Sequence, residues 1–180
     1  MTAWVALLRG VNVGGNRKVP MARLRDLCTE AGLCDVRSYI ASGNLIFTAP
    51  HESASEIEDL VADLIEREHG FRTQVVVRSR EQLAASVAAA PDDDVDHRHV
   101  AFLTEDPSDE AVAAATEAMV PPARLDVVGR DAHLLLPNGM ASDWIRPPGL
   151  ERLLGVSATV RTRRTVAKVL AIAQELPADA

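Results

Sequence analysis

Aromatic side chains make up only 3% of the sequence, and lysine occurs at positions 18 and 168 alone. The aromatic shortage bears directly on function. An RNA-recognition module needs stacking aromatics on two central strands and a K/R-G-F/Y-G/A-F-V-x-F/Y run, whereas the corresponding strand here reads Asn44-Leu45-Ile46-Phe47-Thr48. Cysteine is nearly absent too. Cys28 and Cys34 are spaced C-x5-C, which fits neither the C-x2-C redox motif nor a common zinc knuckle, so reduced thiols are expected. No apolar run approaches the roughly 20 residues of a membrane span. Met1-Thr2-Ala3 lacks the basic start of a signal peptide and the first apolar run stops at Arg9, so a cytoplasmic location is expected by default. There is no G-x-S-x-G elbow, no H-E-x-x-H pair and no cysteine beside a motif-placed histidine. His97-x-His99 with Asp96 has the donor types of a metal site, but solvated histidines at a strand entry explain it as well. The run Asp92-Asp93-Asp94-Val95-Asp96 lacks the glycine and terminal glutamate of a calcium loop. No metal and no cofactor are expected.

What remains is an ordinary globular composition. With 180 residues, 47% of them hydrophobic and 25% charged, the chain can bury one sizeable core or two small ones. The net charge of −7 argues against general polyanion binding, and specific nucleic-acid binding is not expected. The charge is unevenly placed. Residues 1–48 hold Arg9, Arg17, Lys18, Arg23, Arg25 and Arg37 against Asp26, Glu30 and Asp35, and residues 144–174 hold Arg146, Arg152, Arg161, Arg163, Arg164 and Lys168 against Glu151. The acid lies between them, in 92–96 and in 105–110.

Hydrophobic periodicity orders the elements. Residues 3–9 read as a strand with little alternation, hence covered on both faces. A helix over 20–31 places Met21, Leu24, Leu27, Cys28 and Ala31 on one stripe and ends at Gly32. Strands over Val36–Ala41 and Leu45–Thr48 flank the turn Ser42-Gly43-Asn44. Ser53 or Ser55 can cap a second helix carrying Ile57, Leu60, Val61, Leu64 and Ile65 up to Gly70, and Thr73–Val77 is a further strand. The order β-α-β-β-α-β is the split βαβ, or ferredoxin-like, arrangement. A connecting helix opens on the capping box Ser79-x-x-Gln82 and stops before Pro91. The same order then recurs. Val100–Thr104 is a strand, Ser108 caps a helix reaching Met119, and Leu125–Val128 and His133–Leu136 flank the turn Gly129-Arg130-Asp131. A short helix over 150–154 stops at Gly155, Ala158–Val160 is a weak strand, and a last helix over 163–175 turns Val166, Val169, Leu170 and Ala173 inward. Pro147-Pro148 is expected to break the segment between Trp144 and Leu150. The expected organisation is therefore α+β: a ferredoxin-like subdomain over 1–78, a connecting helix with an acidic linker over 79–96, and a second such subdomain over 97–180 with an extra C-terminal helix.

In a sheet of order 4-1-3-2 neighbouring strands alternate in direction, so loops can be sorted by end. Loop 10–19, the turn Ser42-Gly43-Asn44 and the turn His69-Gly70-Phe71 fall at one end of the first sheet. Together they form a basic rim rich in Gly and Asn, and loops on a rigid scaffold are where binding tends to reside. The candidate ligand-binding residues are Arg9, Gly10, Asn12, Gly14, Gly15, Asn16, Arg17, Lys18, Ser42, Gly43 and Asn44. Gly10-x4-Gly15 has the outer spacing of a P-loop, but Asn16-Arg17 stands where that motif needs Lys-Ser/Thr. Val19 is a poor N-cap for the following helix and leaves its first-turn N–H groups for water or an anion, with Asn12, Asn16 and Asn44 able to complete a neutral hydrogen-bonding ring. Three tight turns clustered at the end of a sheet account for the same pattern without a ligand. A second candidate anion site is Arg161, Arg163, Arg164 and Thr165, at the start of the last helix.

Leu7-Leu8-Arg9-Gly10-Val11-Asn12-Val13-Gly14-Gly15, followed by Lys18-Val19-Pro20-Met21 and by Tyr39-Ile40-Ala41-Ser42-Gly43-Asn44-Leu45-Ile46-Phe47, strongly resembles the bacterial proteins grouped as domain of unknown function 1697. Leu154-Gly155-Val156-x-x-Thr159 and Thr165-Val166-x-Lys168 resemble the ending of the same family. The chain departs from it at Arg161-Thr162-Arg163, where the family usually shows an Arg-Asn-Trp-like stretch, and at Pro147-Pro148. The resemblance implies a two-part α+β protein with ferredoxin-like halves and no established activity. Binding of a small anionic or nucleotide-like ligand at the Gly/Asn-rich loop is the expected role. An unrecognised enzyme using the same cleft and a protein-interaction module without a small ligand stay open beside it.

Overall fold

The structure is a computed structural model and describes residues 1–15, 17–50, 53–90, 95–139 and 147–177. The elements are β1 (Thr2–Leu8), α1 (Met21–Glu30), β2 (Cys34–Ser38), β3 (Asn44–Ala49), α2 (Ala54–His69), β4 (Val75–Ser79), α3 (Arg80–Ala89), β5 (Arg98–Leu103), α4 (Asp109–Glu117), β6 (Arg124–Val128), β7 (Asp131–Leu135), α5 (Pro147–Leu154), β8 (Ala158–Thr162) and α6 (Arg163–Gln174). They build two four-stranded antiparallel sheets, ordered β2-β3-β1-β4 and β6-β7-β5-β8. Each is a split βαβ sheet, and the chain is an α+β protein of two tandem ferredoxin-like subdomains with a C-terminal helix. Among the described residues, no helix is long and apolar enough to cross a membrane.

Two compact units result. One comprises Met1–Ala84 with Lys168–Ala180, the other Ala85–Ala167.

In the first unit α1 and α2 lie on one face of the sheet. Trp4, Leu8, Leu45, Phe47, Val75 and Val77 from the strands meet Leu24, Leu27, Cys28, Ile57, Val61 and Ile65 from the helices. Each large side chain of this kind contributes about 1.5–3 kcal/mol on full burial. The opposite face is covered as well, since Ala3, Val5 and Leu7 of β1 and Ile46 and Thr48 of β3 are also buried. The unbroken apolar reading of β1 has this cause, and Trp4 and Phe47 are buried with it. Cys28 lies within this core, where burial pushes its thiol up to about 12, and Cys34 is free at the surface. Both helices end on left-handed glycines: Gly32 follows α1 at φ 96° and Gly70 follows α2 at φ 75°.

The second unit has a smaller core of Ala101, Leu103, Leu125, Leu134, Leu150 and Leu154. Ser108 caps α4 by accepting from Ala111 N at 3.2 Å. At the start of α3 both bonds of the expected capping box are present, Ser79 N to Gln82 Oε1 at 2.9 Å and Gln82 N to Ser79 Oγ at 3.2 Å.

Three local expectations are corrected. Ser53 precedes α2 but its side chain does not cap it, because its hydroxyl is paired with that of Ser55 at 2.7 Å. Pro147-Pro148 does not interrupt a helix but opens one, which proline allows because the first helical turn needs no N–H donor. The strand expected over Val36–Ala41 stops at Ser38, since Ile40 takes φ 51°, outside the extended region.

Candidate functional site

β1 delivers the chain to the rim between the starts of β3 and β4. Leu8 N donates to Gly43 O at 2.8 Å and Arg9 N to Gln74 O at 2.9 Å, while the Thr73 hydroxyl donates to Arg9 O at 2.6 Å. Loop 10–19, turn 39–43 and the stretch after α2 therefore meet at one end of the first sheet, as the strand order requires. Gly10, Gly14, Gly15, Asn12 and Arg17 all have positive φ. Gly43 answers a steric demand: a Cβ there would lie 2.6 Å from Val11 Cγ2 and 2.7 Å from Leu8 Cβ.

Asn12 ties the loops together. Its Nδ2 donates to Val19 O at 2.9 Å and to Ala41 O at 2.7 Å, and its Oδ1 accepts from Val19 N at 2.9 Å. Asn44 is fully buried, and its Nδ2 donates to Tyr39 O at 2.9 Å and Ser42 Oγ at 3.2 Å. Both amides are thus spent on the protein's own turns, so the neutral ring around an anion is not formed by Asn12 and Asn44. Asn16 lies outside the described residues. Arg17 holds its guanidinium carbon 5.7 Å from the centre of the Phe71 ring, a cation–π distance, and so links the loop to the segment after α2.

Beside Asn12 is a cavity of about 670 Å³, lined by Asn12, Gly15 and Lys18 from the loop, by Val19, Pro20 and Met21 at the start of α1, and by Ser38 at the end of β2 with Ile40 and Ala41 after it. This size falls within the usual range of small-molecule pockets. Its walls are mostly apolar. Lys18 is the basic residue among these, and none of the described lining residues is acidic. α1 begins one residue later than expected: Pro20 is its N-cap, no side chain among the described residues caps it, and its first turn has no acidic residue. The positive end of the helix and Lys18 thus bias the cavity mouth toward negative charge. Ser38 accepts at its hydroxyl from Arg25 Nη1 at 2.6 Å, which places a second guanidinium one hydrogen bond behind the wall.

The sequence-predicted residues therefore divide. Asn12, Gly15 and Lys18 line the cavity, whereas Arg9, Gly10, Gly14, Arg17, Ser42, Gly43 and Asn44 shape or brace the loops around it. Sequence reasoning missed Val19, Pro20, Met21, Ser38, Ile40 and Ala41 as wall residues. Ile40 and Ala41 fall inside the Tyr39-to-Phe47 motif, which was the available signal for them.

The second candidate site is not assembled as expected. Arg161 is buried in β8, where its Nη1 donates to Thr159 Oγ1 at 2.8 Å and Val160 O at 2.9 Å, and burial lowers its pKa to about 10. Arg163 is buried as well, and Arg164 is exposed and paired with Asp96. Thr165 N donates to Thr162 Oγ1 at 3.2 Å, so α6 already carries a side-chain cap. Among the described residues no group of three His, Cys, Asp or Glu side chains is placed to hold a metal ion. Asp92, Asp93 and Asp94 lie outside those residues.

Two tandem ferredoxin-like units with a Gly/Asn-rich rim at one end of the first sheet define the class of the molecule. The chain belongs to the family described as protein of unknown function (DUF1697), whose model matches residues 1–133. Among solved structures, the conserved bacterial protein SP0830 from Streptococcus pneumoniae has a similar fold, with a TM-score of 0.76, 24% sequence identity, and coverage of 96% of this chain and 98% of that one. No curated protein matches the chain.

Proposed function

We propose that this protein binds a small organic anion in the cavity beside Asn12, with Lys18 supplying the charge. The observation that carries the reading is convergence. Loop 10–19, the first turn of α1 and the segment after β2 each contribute part of one cavity of about 670 Å³, and its mouth combines an ammonium group with an uncapped helix N-terminus. The apolar walls favour burial of a ligand body, and the Asn12 hydrogen bonds keep the walls pre-formed, which lowers the ordering cost of binding. A screen of organic acids, phosphates and nucleotides by thermal shift tests it. A selective ligand raises the melting temperature by mass action, and the shift at a given ligand concentration is expected to shrink in Lys18→Ala. A full shift in that variant would place the ligand elsewhere.

A second reading rests on Val13 and Ile40, which are 63% and 50% exposed. Two large apolar side chains presented by neighbouring loops suit a protein partner. A mass that rises with concentration would favour that reading.

A further inference from the structure

We infer that the ligand is a monoanionic carboxylic acid with an apolar body, and not a phosphate or nucleotide. This rests on the proposed binding role of the cavity and narrows its ligand class. The first ground is a charge inventory. Lys18 is the basic residue that lines the cavity, while Arg25 stands behind its wall, bound to the Ser38 hydroxyl at 2.6 Å, and Arg17 stands over Phe71 with its guanidinium carbon 5.7 Å from the ring centre. A phosphate monoester or polyphosphate carries two or more charges and is held by several cations beside backbone N–H groups, whereas here the start of α1 is joined at the wall by one ammonium group.

The second ground is the fate of the polar donors. The Asn12 amide, the polar group best placed to read a multivalent oxyanion, is held by Val19 and Ala41 at 2.7–2.9 Å. Taking a doubly charged group out of water against walls of Val19, Pro20, Met21, Ile40 and Ala41 would leave charge without hydrogen bonds, which is costly. One carboxylate needs one ammonium. The rest of the ligand is then free to be apolar, and the same walls become favourable surface, with Met21 able to adapt to an aromatic or branched body.

Titration calorimetry on the full chain separates this inference from the reading beneath it. The probes are 4-phenylbutyrate and hexanoate, the uncharged 4-phenylbutanamide, adenosine monophosphate and inorganic phosphate. We expect saturable binding of the carboxylates, binding of the amide weaker by about tenfold or more because a neutral carbonyl replaces the carboxylate as the acceptor of the ammonium, and none of the phosphates. Lys18→Ala, an exposed loop substitution, is expected to weaken the acids by about tenfold or more and the amide by less. Tighter Lys18-dependent binding of adenosine monophosphate or phosphate than of either carboxylate would overturn the ligand class and leave an anion site in place. Absence of binding by every probe would overturn both.

Discussion

Asn12 Nδ2 lies 2.7 Å from the carbonyl oxygen of Ala41, a hydrogen bond that joins the loop after β1 to the turn after β2 across 29 residues of sequence. The same side chain also pairs with both the N–H and the C=O of Val19, so one amide sets the distance between two walls of the cavity. Asn12→Ala removes three hydrogen bonds and places alanine at φ 55°. The expected loss is about 2–4 kcal/mol of stability, from unpaired backbone groups and left-handed strain. Asn12→Gly keeps the backbone conformation and should recover about 1 kcal/mol of it. Urea denaturation of the two variants checks the order, and equal losses would mean that the backbone conformation is irrelevant there.

Two glycines of the rim should behave differently on replacement by alanine. At Gly14, φ is +66° and the space for a Cβ is open, whereas at Gly43 the Cβ would meet Val11 and Leu8 at 2.6 and 2.7 Å. Gly14→Ala is expected to cost about 1–2 kcal/mol from conformation alone. Gly43→Ala adds overpacking of buried neighbours and is expected to cost about 1–3 kcal/mol more. Equal denaturation midpoints for the two would contradict the close approach at Gly43.

Ile40 is a β-branched residue at φ 51°, half exposed, on the cavity wall. Such strain persists where the surroundings over-determine it, and it tends to cluster at functional sites. Ile40→Gly should therefore stabilise the fold by up to about 1 kcal/mol while weakening any ligand held by that wall. A loss of stability would show that the side chain contributes more packing than its backbone strain costs.

Two histidines of the second unit predict a pH dependence. Burial pushes the pKa of His133 and of His99 below the ordinary value of 6.5, with the nearby Asp131 and Asp126 opposing the shift at His133 and Arg163 and Arg98 adding to it. A depressed folded-state value means that the unfolded chain binds more protons just below pH 6.5. The associated stability is complete above that value and is lost as the pH falls toward the folded-state values. The urea midpoint should drop between pH 7.5 and 5.5. Neither ring nitrogen of His133 has a hydrogen-bond partner among the described residues, so His133→Leu should be tolerated at pH 7.5 and should flatten part of that drop. A variant with an unchanged pH profile would remove His133 from the explanation.

The element order of both units was legible because their helices keep an apolar stripe and their strands are bounded by glycine, proline and serine signals. Strand direction followed from topology, and with it the meeting of loop 10–19, turn 42–44 and the segment after α2. The end of β2 was not legible. Val36, Tyr39 and Ile40 carry strand propensity, and only the tertiary hold of Asn12 on Ala41 and of Asn44 on Tyr39 accounts for a turn beginning there. Arg161 was legible as charge but not as burial, because a weak apolar signal over 158–160 hid a strand that continues to Thr162. Pro147 and Pro148 are ambiguous by nature, since proline both ends helices and opens them.

Amide chemical-shift mapping of the isotopically labelled chain during titration with 4-phenylbutyrate reports where the ligand sits. Saturable shifts are expected to be confined to Asn12, Gly15, Lys18, Val19 and Met21 together with Ser38, Ile40 and Ala41, and to need about tenfold or more ligand to saturate in Lys18→Ala. Saturable shifts centred instead on Arg164 and Thr165, or no saturable shifts at the cavity residues, would contradict that placement.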